Sequence, residues 1–333
     1  MNEATKSRLF GYEQAFADPV TTGIVMALGI VLAVVLILTE ALYRSGRIGE
    51  KLRGELWART TSWAILIPLM VLPLLFGAAP TIIGVGLLGI FCFQEYARQT
   101  HLNRERVESG LVYMGIVLLT LAILDHWMRL FFALTAITPA AIAAFSIFRD
   151  RPAGYLQRVA LAVLGFTWFG TCLGHLGAIA NDPHYRAYLI LIFVSVELND
   201  VFAFVVGKTL GRRKLIPNTS PNKTIAGSLG AMILTTALVV ALGRLIFAGT
   251  AMAEWPVLIF LGALISFCGQ LGDLMLSSLK RDLGIKDMGN LIPGHGGLLD
   301  RFDSLLLVAP CVYHLINYTI GIGNGEQVRI WTQ

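Results

Sequence analysis

The sequence is poor in charge. Asp, Glu, Lys and Arg supply 14% of its 333 residues, against 56% hydrophobic residues, and the mean hydropathy is +0.70. Soluble domains carry about 25% charged residues, so no large soluble domain fits in this chain. Cysteine is scarce as well. Cys92, Cys172, Cys268 and Cys311 lie singly in apolar segments, without the close Cys pairs of a zinc or disulfide framework, and read as small core hydrophobes. A net charge of +5 comes with no basic domain and no interleaved aromatics, which excludes nucleic acid as the expected partner. The N-terminal run MNEATKSRLFGYEQAFADP has mixed charges and no small-residue cleavage site, so it does not read as a removed signal peptide. There is no internal repeat of the kind that marks inverted-repeat transporters. No Ser–His–Asp or Cys–His arrangement for nucleophilic catalysis stands out either.

What the sequence has in abundance is long apolar runs. A helical span needs about 20 mostly apolar residues. The runs predict an all-α polytopic integral membrane protein with about ten transmembrane helices, at about 21–43, 62–76, 80–93, 112–124, 130–148, 159–179, 187–206, 225–247, 256–275 and 305–322. The link GAAP between the second and third is short and uncharged and predicts a hairpin. All of the 26 Lys and Arg except Lys6, Arg8, Arg129, Arg186, Arg244 and Arg329 fall in alternate loops. By the positive-inside rule those loops are cytoplasmic and both termini are not. The chain divides into N-terminal helices, 1–180, and a C-terminal catalytic region, 181–333, with cytoplasmic loops 207–224 and 277–303.

The densest ionisable cluster is SSLKRDLGIKDMGNLIPGHGGLLDRFD, from Ser277 to Asp303. Just before it Asp273, Ser277 and Lys280 fall within about 40° of one another on a helix, with Arg281 at the edge of that stripe. The bland alternative is a helix end with snorkelling cations and an Asp273–Lys280 pair. Two spans earlier, Glu197 and Asp200 share a face inside an apolar helix. The bland alternative there is a pair with Lys208 or an Arg of another helix. Carboxylates in a membrane are costly unless paired or bound to a cation. Two of them reaching one boundary from different helices suit Mg²⁺, which takes one or two carboxylates plus substrate phosphates. SPNKT sets Ser220, Lys223 and Thr224 at a helix entrance, where free N–H groups favour an anion. PGHGG, with His295 between glycines, lets backbone approach a ligand, and Lys280, Arg281, Lys286 and Arg301 can neutralise a polyphosphate.

The motif S-x-L-K-R-x4-K-D-x-G-x2-I-P-G-H-G-G-L-L-D-R-x-D, from Ser277 to Asp303, resembles the signature of the phosphatidate cytidylyltransferases, or CDP-diacylglycerol synthases. The likeness extends to Asp200 with Ala203 and Phe204, to SPNKT with Gly227 and to GQLGD ending at Asp273. It covers about the last 140 residues. It implies cytidylyl transfer from CTP to phosphatidate with release of pyrophosphate, Mg²⁺ as cofactor, membrane lipids as surroundings, a homodimer, and a site on the cytoplasmic face of a bacterial inner membrane.

On that resemblance the catalytic set is Lys280, Arg281, Asp273 and Asp200. Asp200 and Asp273 bind the metal, with Asp287 a further candidate. Ser220, Lys223, Ser277, Lys286, His295 and Arg301 bind substrate. His295 contacts a phosphate or orders its loop, and Asp300 and Asp303 are expected to orient Arg301 rather than bind the metal. The chain also departs from the family pattern. Typical members carry Trp where this chain has Glu197, small residues where it has Val201 and Phe202, and Trp-Glu where it has Ile225 and Ala226. Glu197 is therefore expected to stand in for the missing carboxylate. Two other readings remain: a CTP-dependent lipid or polyprenol kinase, and a cation-coupled transporter using Glu197, Asp200 and Asp273.

Overall fold

A computed structural model describes residues 3–289, 296–323 and 329–332. It is almost wholly helical. In chain order the helices are α1 (Glu3–Phe10), α2 (Pro19–Arg44), α3 (Glu50–Phe76), α4 (Ala78–Gln99), α5 (Arg106–Leu124), α6 (Met128–Ser146), α7 (Tyr155–Gly165) and α8 (Leu173–Ile179). They continue with α9 (Tyr185–Leu210), α10 (Ile225–Ile246), α11 (Trp255–Asp282), α12 (Leu299–Phe302) and α13 (Leu305–Thr319). A π-helical segment, Phe166–Cys172, joins α7 to α8 into one span.

Local chemistry sets the ends. Pro19 sits in the first turn of α2, and the Asp18 carboxylate accepts from the Thr21 amide at 2.8 Å, satisfying an amide that no helical carbonyl reaches. Thr224 caps α10 through the Gly227 amide at 3.1 Å. The predicted GAAP hairpin is tighter than expected, because Gly77 alone separates α3 from α4. Its φ of +135° suits only glycine, and a Cβ there would meet the Leu9 carbonyl oxygen at 2.3 Å.

Among the described residues nine helical segments are long and apolar enough to cross a membrane, one fewer than the ten expected. The tenth, α13, has 15 residues, which is short by the span criterion. It nonetheless continues from α12 through Asp303 and Ser304, both in right-handed helical backbone. The chain after it reaches the opposite end of the bundle, where the Gly323 amide lies 3.4 Å from Asp182 and the Ile330 and Trp331 amides lie 2.7 Å from Asp125. The N-terminal region docks at that same end. Arg8 bonds Asn181, and Arg186 donates to the Gly11 carbonyl at 2.7 Å.

The expected polar link 207–224 is shorter than read from sequence, since α9 runs on to Leu210. The rest folds into an antiparallel hairpin of β1 (Lys214–Ile216) and β2 (Ser220–Thr224). That hairpin lies over the ends of α9, α10 and α11. These three helices pack closely through glycines. A Cβ on Gly227 would lie 2.6 Å from the Ala203 carbonyl oxygen, and one on Gly262 would lie 2.6 Å from Thr236 Cα. Because the second obstacle is backbone, Gly262→Leu is expected to cost about 1–3 kcal/mol and lower the melting temperature in detergent. Gly23→Leu on α2, where nothing lies within 4 Å, is expected to stay within about 0.5 kcal/mol of wild type.

Candidate active site at the hairpin end of the bundle

Four carboxylates converge beneath the β1–β2 hairpin, at the end of the bundle opposite the chain termini. Asp273, on α11, forms an ion pair with Lys223 of β2. Ser277, one turn on, has its hydroxyl 3.4 Å from Asp273 Oδ1. Asp200 of α9 lies in electrostatic reach of Asp273, of Lys223 and of Arg301. Glu197, one turn deeper on α9, feels Asp200 and Arg301. Asp303, 5% exposed, feels Asp273, Asp200 and Lys280. The group is thus acidic at its centre and basic around it, with Lys223, Lys280 and Arg301 supplied by three separate elements.

The bland alternative for Asp273 is overturned, whereas for Glu197 it holds in its second form, an Arg of another helix. Asp273 pairs with Lys223, not with Lys280. Glu197 faces Arg301, while the Lys208 ammonium sits 5.7 Å from the Phe204 ring centroid. The expectation that Asp300 and Asp303 orient Arg301 is corrected as well. Asp300 Oδ1 accepts from Lys280 Nζ at 2.8 Å, and its Oδ2 accepts the Met288 and Gly297 amides at 2.8 and 2.9 Å. Asp303 Oδ1 accepts the Ser304 amide at 2.7 Å. Arg301 keeps a buried Nε without a hydrogen-bond partner. A buried donor left unpaired costs about 1–3 kcal/mol, so this guanidinium is suited to an anionic ligand.

The remaining candidates are spread around the rim. Arg281 is exposed and donates Nε to the Thr219 carbonyl at 3.2 Å, tying α11 to the turn of the hairpin that carries half-buried Ser220. Lys286 and Asp287 are exposed on the loop after α11. Asp287 stands beside Gly296, whose φ of +81° needs glycine. No contact gathers it with Asp200 and Asp273. His295 lies outside the described residues. Glu197 does not reach the place of Ala226. Gly227 packs on Ala203 and Gly207, whereas Asn199 is level with Thr235, so Glu197 lies deeper in the bundle than the start of α10.

Three supporting residues escaped the sequence reading. Glu95 of α4 accepts the Leu298 and Leu299 amides at 3.0 and 2.8 Å, and Gln99 donates to the Met288 carbonyl at 3.0 Å. Together they hold Met288 and the start of α12 against α4. Asn199, 1% exposed, accepts from Ser266 at 2.6 Å and Thr235 at 3.2 Å, locking α9, α10 and α11 in register. An acid and two amides at the ends of apolar runs were the signal that could have found them.

Among the described residues no group of three or more His, Cys, Asp or Glu side chains is arranged to hold a metal ion unaided. The donor set is nevertheless hard oxygen from Asp273, Asp200 and Asp303, and Lys223 already places a positive charge against Asp273. Such a site fits Mg²⁺ with substrate phosphates completing the shell.

Residues 57–319 match the sequence profile of the cytidylyltransferase family. The chain belongs to that family. It is 30% identical over 278 residues to the uncharacterized protein YnbB of Escherichia coli (strain K12), covering 82% of this chain and 91% of that protein. It is 41% identical over 163 residues to a phosphatidate cytidylyltransferase of Bacillus subtilis (strain 168), which is 48% of this chain and 59% of that enzyme. A phosphatidate cytidylyltransferase of Staphylococcus saprophyticus is 43% identical over 129 residues, 39% of this chain and 48% of that enzyme. The chain therefore spans about half the length of the two relatives named as phosphatidate cytidylyltransferases. Within this cytidylyltransferase the family match runs from α3 through α13 and so includes every carboxylate of the cluster.

Glu95 gives the site a stability test. Glu95→Ala leaves two buried amides unpaired, a cost of about 1–3 kcal/mol. Trypsin cleavage after Lys286 is expected to quicken in the variant relative to wild type in the same detergent.

Proposed function

We propose that the protein transfers the cytidylyl group of CTP to phosphatidate, giving CDP-diacylglycerol and pyrophosphate. The observation that carries this reading is the gathering of Asp200, Asp273 and Asp303 with Lys223, Lys280 and Arg301 at one end of a membrane bundle, in a chain of the cytidylyltransferase family. A phosphate oxygen of the lipid attacks the α-phosphorus of CTP, a new phosphoanhydride forms, and the bond to the β-phosphate breaks. A phosphate monoester has a second pKa near 6, so the lipid nucleophile is ionised at neutral pH and needs no strong base. The demand on the protein is charge neutralisation and in-line placement of two anions that repel each other.

The side chains divide that work. Asp273 and Asp200 would hold Mg²⁺, with Asp303 beside them and Asp287 left to the loop. Bound there, Mg²⁺ would neutralise charge on the phosphates and polarise them toward attack. Lys223 and Arg301 face the same group and hold phosphate oxygens. Lys280, fixed by Asp300, and Arg281, fixed by the hairpin turn, add positive charge at the mouth, and Ser220 and Ser277 supply hydrogen bonds there. The site lies on the side of the bundle where the Lys- and Arg-rich loops gather, which supports a cytoplasmic site. The bacterial relatives support an inner-membrane location.

Position favours this reading over ion transport. A transporter site belongs near the bilayer midplane, between two access routes, whereas Asp273, in the last third of α11, is paired with Lys223 of the hairpin. Release of pyrophosphate rather than CDP separates it from the kinase reading.

With labelled CTP, Mg²⁺ and phosphatidate in mixed micelles, the purified protein is expected to yield a lipid-linked cytidine nucleotide and pyrophosphate. Asp273→Asn should lower the rate by at least about a hundredfold while still inserting in the membrane. Formation of CDP, or no turnover with any lipid phosphate, would overturn the reading. Glu197 adds a carboxylate one turn below Asp200. Glu197→Gln is expected to raise the Mg²⁺ concentration for half-maximal rate by about tenfold, and an unchanged Mg²⁺ curve would remove Glu197 from the site.

A further inference from the structure

Of the five Lys- and Arg-rich links on one side of the spans, 44–59, 94–111, 149–158, 207–224 and 277–303, only 207–224 holds no Asp or Glu. No acid occurs anywhere from Val201 to Ala253. In other links cations find carboxylates: Arg44 and Arg53 reach Glu40 at 3.0 and 2.9 Å, and Arg149 reaches Glu108 at 2.8 Å. In 207–224 only Lys223 is matched in this way, by Asp273. Among the described residues Arg212, Arg213 and Lys214 form no ion pair, and all three are exposed. Sorting of basic residues to one side of a membrane accounts for their presence. It does not account for the missing acids.

The position of these cations decides what they meet. Helix α9 ends at Leu210 and α10 begins at Ile225, whose amide donates to the Arg213 carbonyl at 3.0 Å. The basic run therefore stands level with the ends of two membrane spans. Within those spans Phe204 and Val205 of α9, and Leu229 and Ile233 of α10, are exposed apolar side chains, the kind of wall that acyl chains cover. Leu210, 69% exposed, and Ile216 set further apolar surface among the cations. A soluble anion makes no use of such surface. A phospholipid does, because its chains cover the wall while its phosphate stays at headgroup depth. On the inner side, Lys214 of β1 pairs with Thr224 of β2, the residue after Lys223. Adjacent strands lie about 4.8 Å apart, so the basic run is one strand away from the cation that reaches Asp273.

We propose that Arg212, Arg213 and Lys214 bind the phosphate headgroup of an anionic phospholipid, drawn from the leaflet at this end of the bundle and held beside the carboxylate cluster. The two guanidinium groups can each take a pair of phosphate oxygens, and the ammonium adds a point charge. Each Lys or Arg near an anionic surface strengthens association by about fivefold. A zwitterionic headgroup brings its own ammonium against the three cations and gains far less. The absence of acids from 201 to 253 keeps this attraction uncancelled. The assignment rests on the membrane spans and not on cytidylyl transfer. On the proposed function, it gathers acidic lipid, phosphatidate included, one strand from Lys223.

Photolabelling tests the site without turnover. The full-length protein is placed in phosphatidylcholine nanodiscs with a small fraction of phosphatidylglycerol that carries a photoactivatable group near the headgroup. A parallel sample carries the same group on phosphatidylcholine, and labelled peptides are mapped by mass spectrometry. Labelling of residues 208–216 is expected to be about tenfold higher with phosphatidylglycerol. It should fall toward the phosphatidylcholine level at high salt and in the Arg212→Gln/Arg213→Gln/Lys214→Gln variant. The Arg44→Gln/Arg47→Gln/Lys51→Gln variant, with the same charge change on the link from α2 to α3, should keep the preference. Equal labelling by the two lipids, or equal loss in both variants, would overturn the proposal. Loss of the label on adding millimolar CTP would also overturn it, by giving the face to a nucleotide. If the first variant fails to fold, the two lipids and the salt response in wild type decide: a salt-sensitive preference for phosphatidylglycerol supports the site, and its absence refutes it.

Discussion

Charge balance at one end of the bundle is the constraint on which the rest depends. Glu197, Asp200, Asp273 and Asp303 lie close enough for their charges to act along the group, an arrangement that repels itself at low dielectric. It persists because cations arrive from elsewhere: Lys223 from the hairpin, Lys280 from the last turn of α11, Arg301 from α12. Removing one member of such a group costs more than its pair is worth, since the partner is left unbalanced. The same imbalance is what a polyphosphate with its cation can complete. On the proposed function, stability and ligand binding draw on one set of side chains.

Holding that set in place requires support from both halves of the chain. Asn199 fixes α9 against α10 and α11, so that Asp200 and Asp273 face each other. Asp300 fixes Lys280 and gathers the amides of Met288 and Gly297. Glu95, from the N-terminal half, accepts the Leu298 and Leu299 amides at the start of α12. Glycines at 227 and 262 let the three helices approach closely enough for these short polar side chains to reach. Packing crosses the expected division at residue 180 freely.

The helices were legible because a membrane demands long apolar runs, and the basic loops marked one side by counting alone. Asp200, Lys223, Asp273, Lys280 and Arg301 were legible because charge among apolar residues is rare and has to be used. Their pairings were not. Sequence spacing suggested Asp273 with Lys280, one helical face, but Lys223 arrives on a hairpin whose fold spacing does not disclose. Asp300 was assigned to Arg301, its neighbour in sequence, and instead bonds Lys280 twenty positions away.

The proposed function requires that the carboxylates beneath the hairpin bind a nucleotide with its divalent cation. The melting temperature of the purified protein, with and without CTP and Mg²⁺ together, tests it most directly, because a ligand that binds the native state stabilises it by mass action. A rise of several degrees is predicted for wild type and no rise for Asp273→Asn. Equal shifts in the two proteins, or none in wild type at millimolar CTP and Mg²⁺, would contradict it.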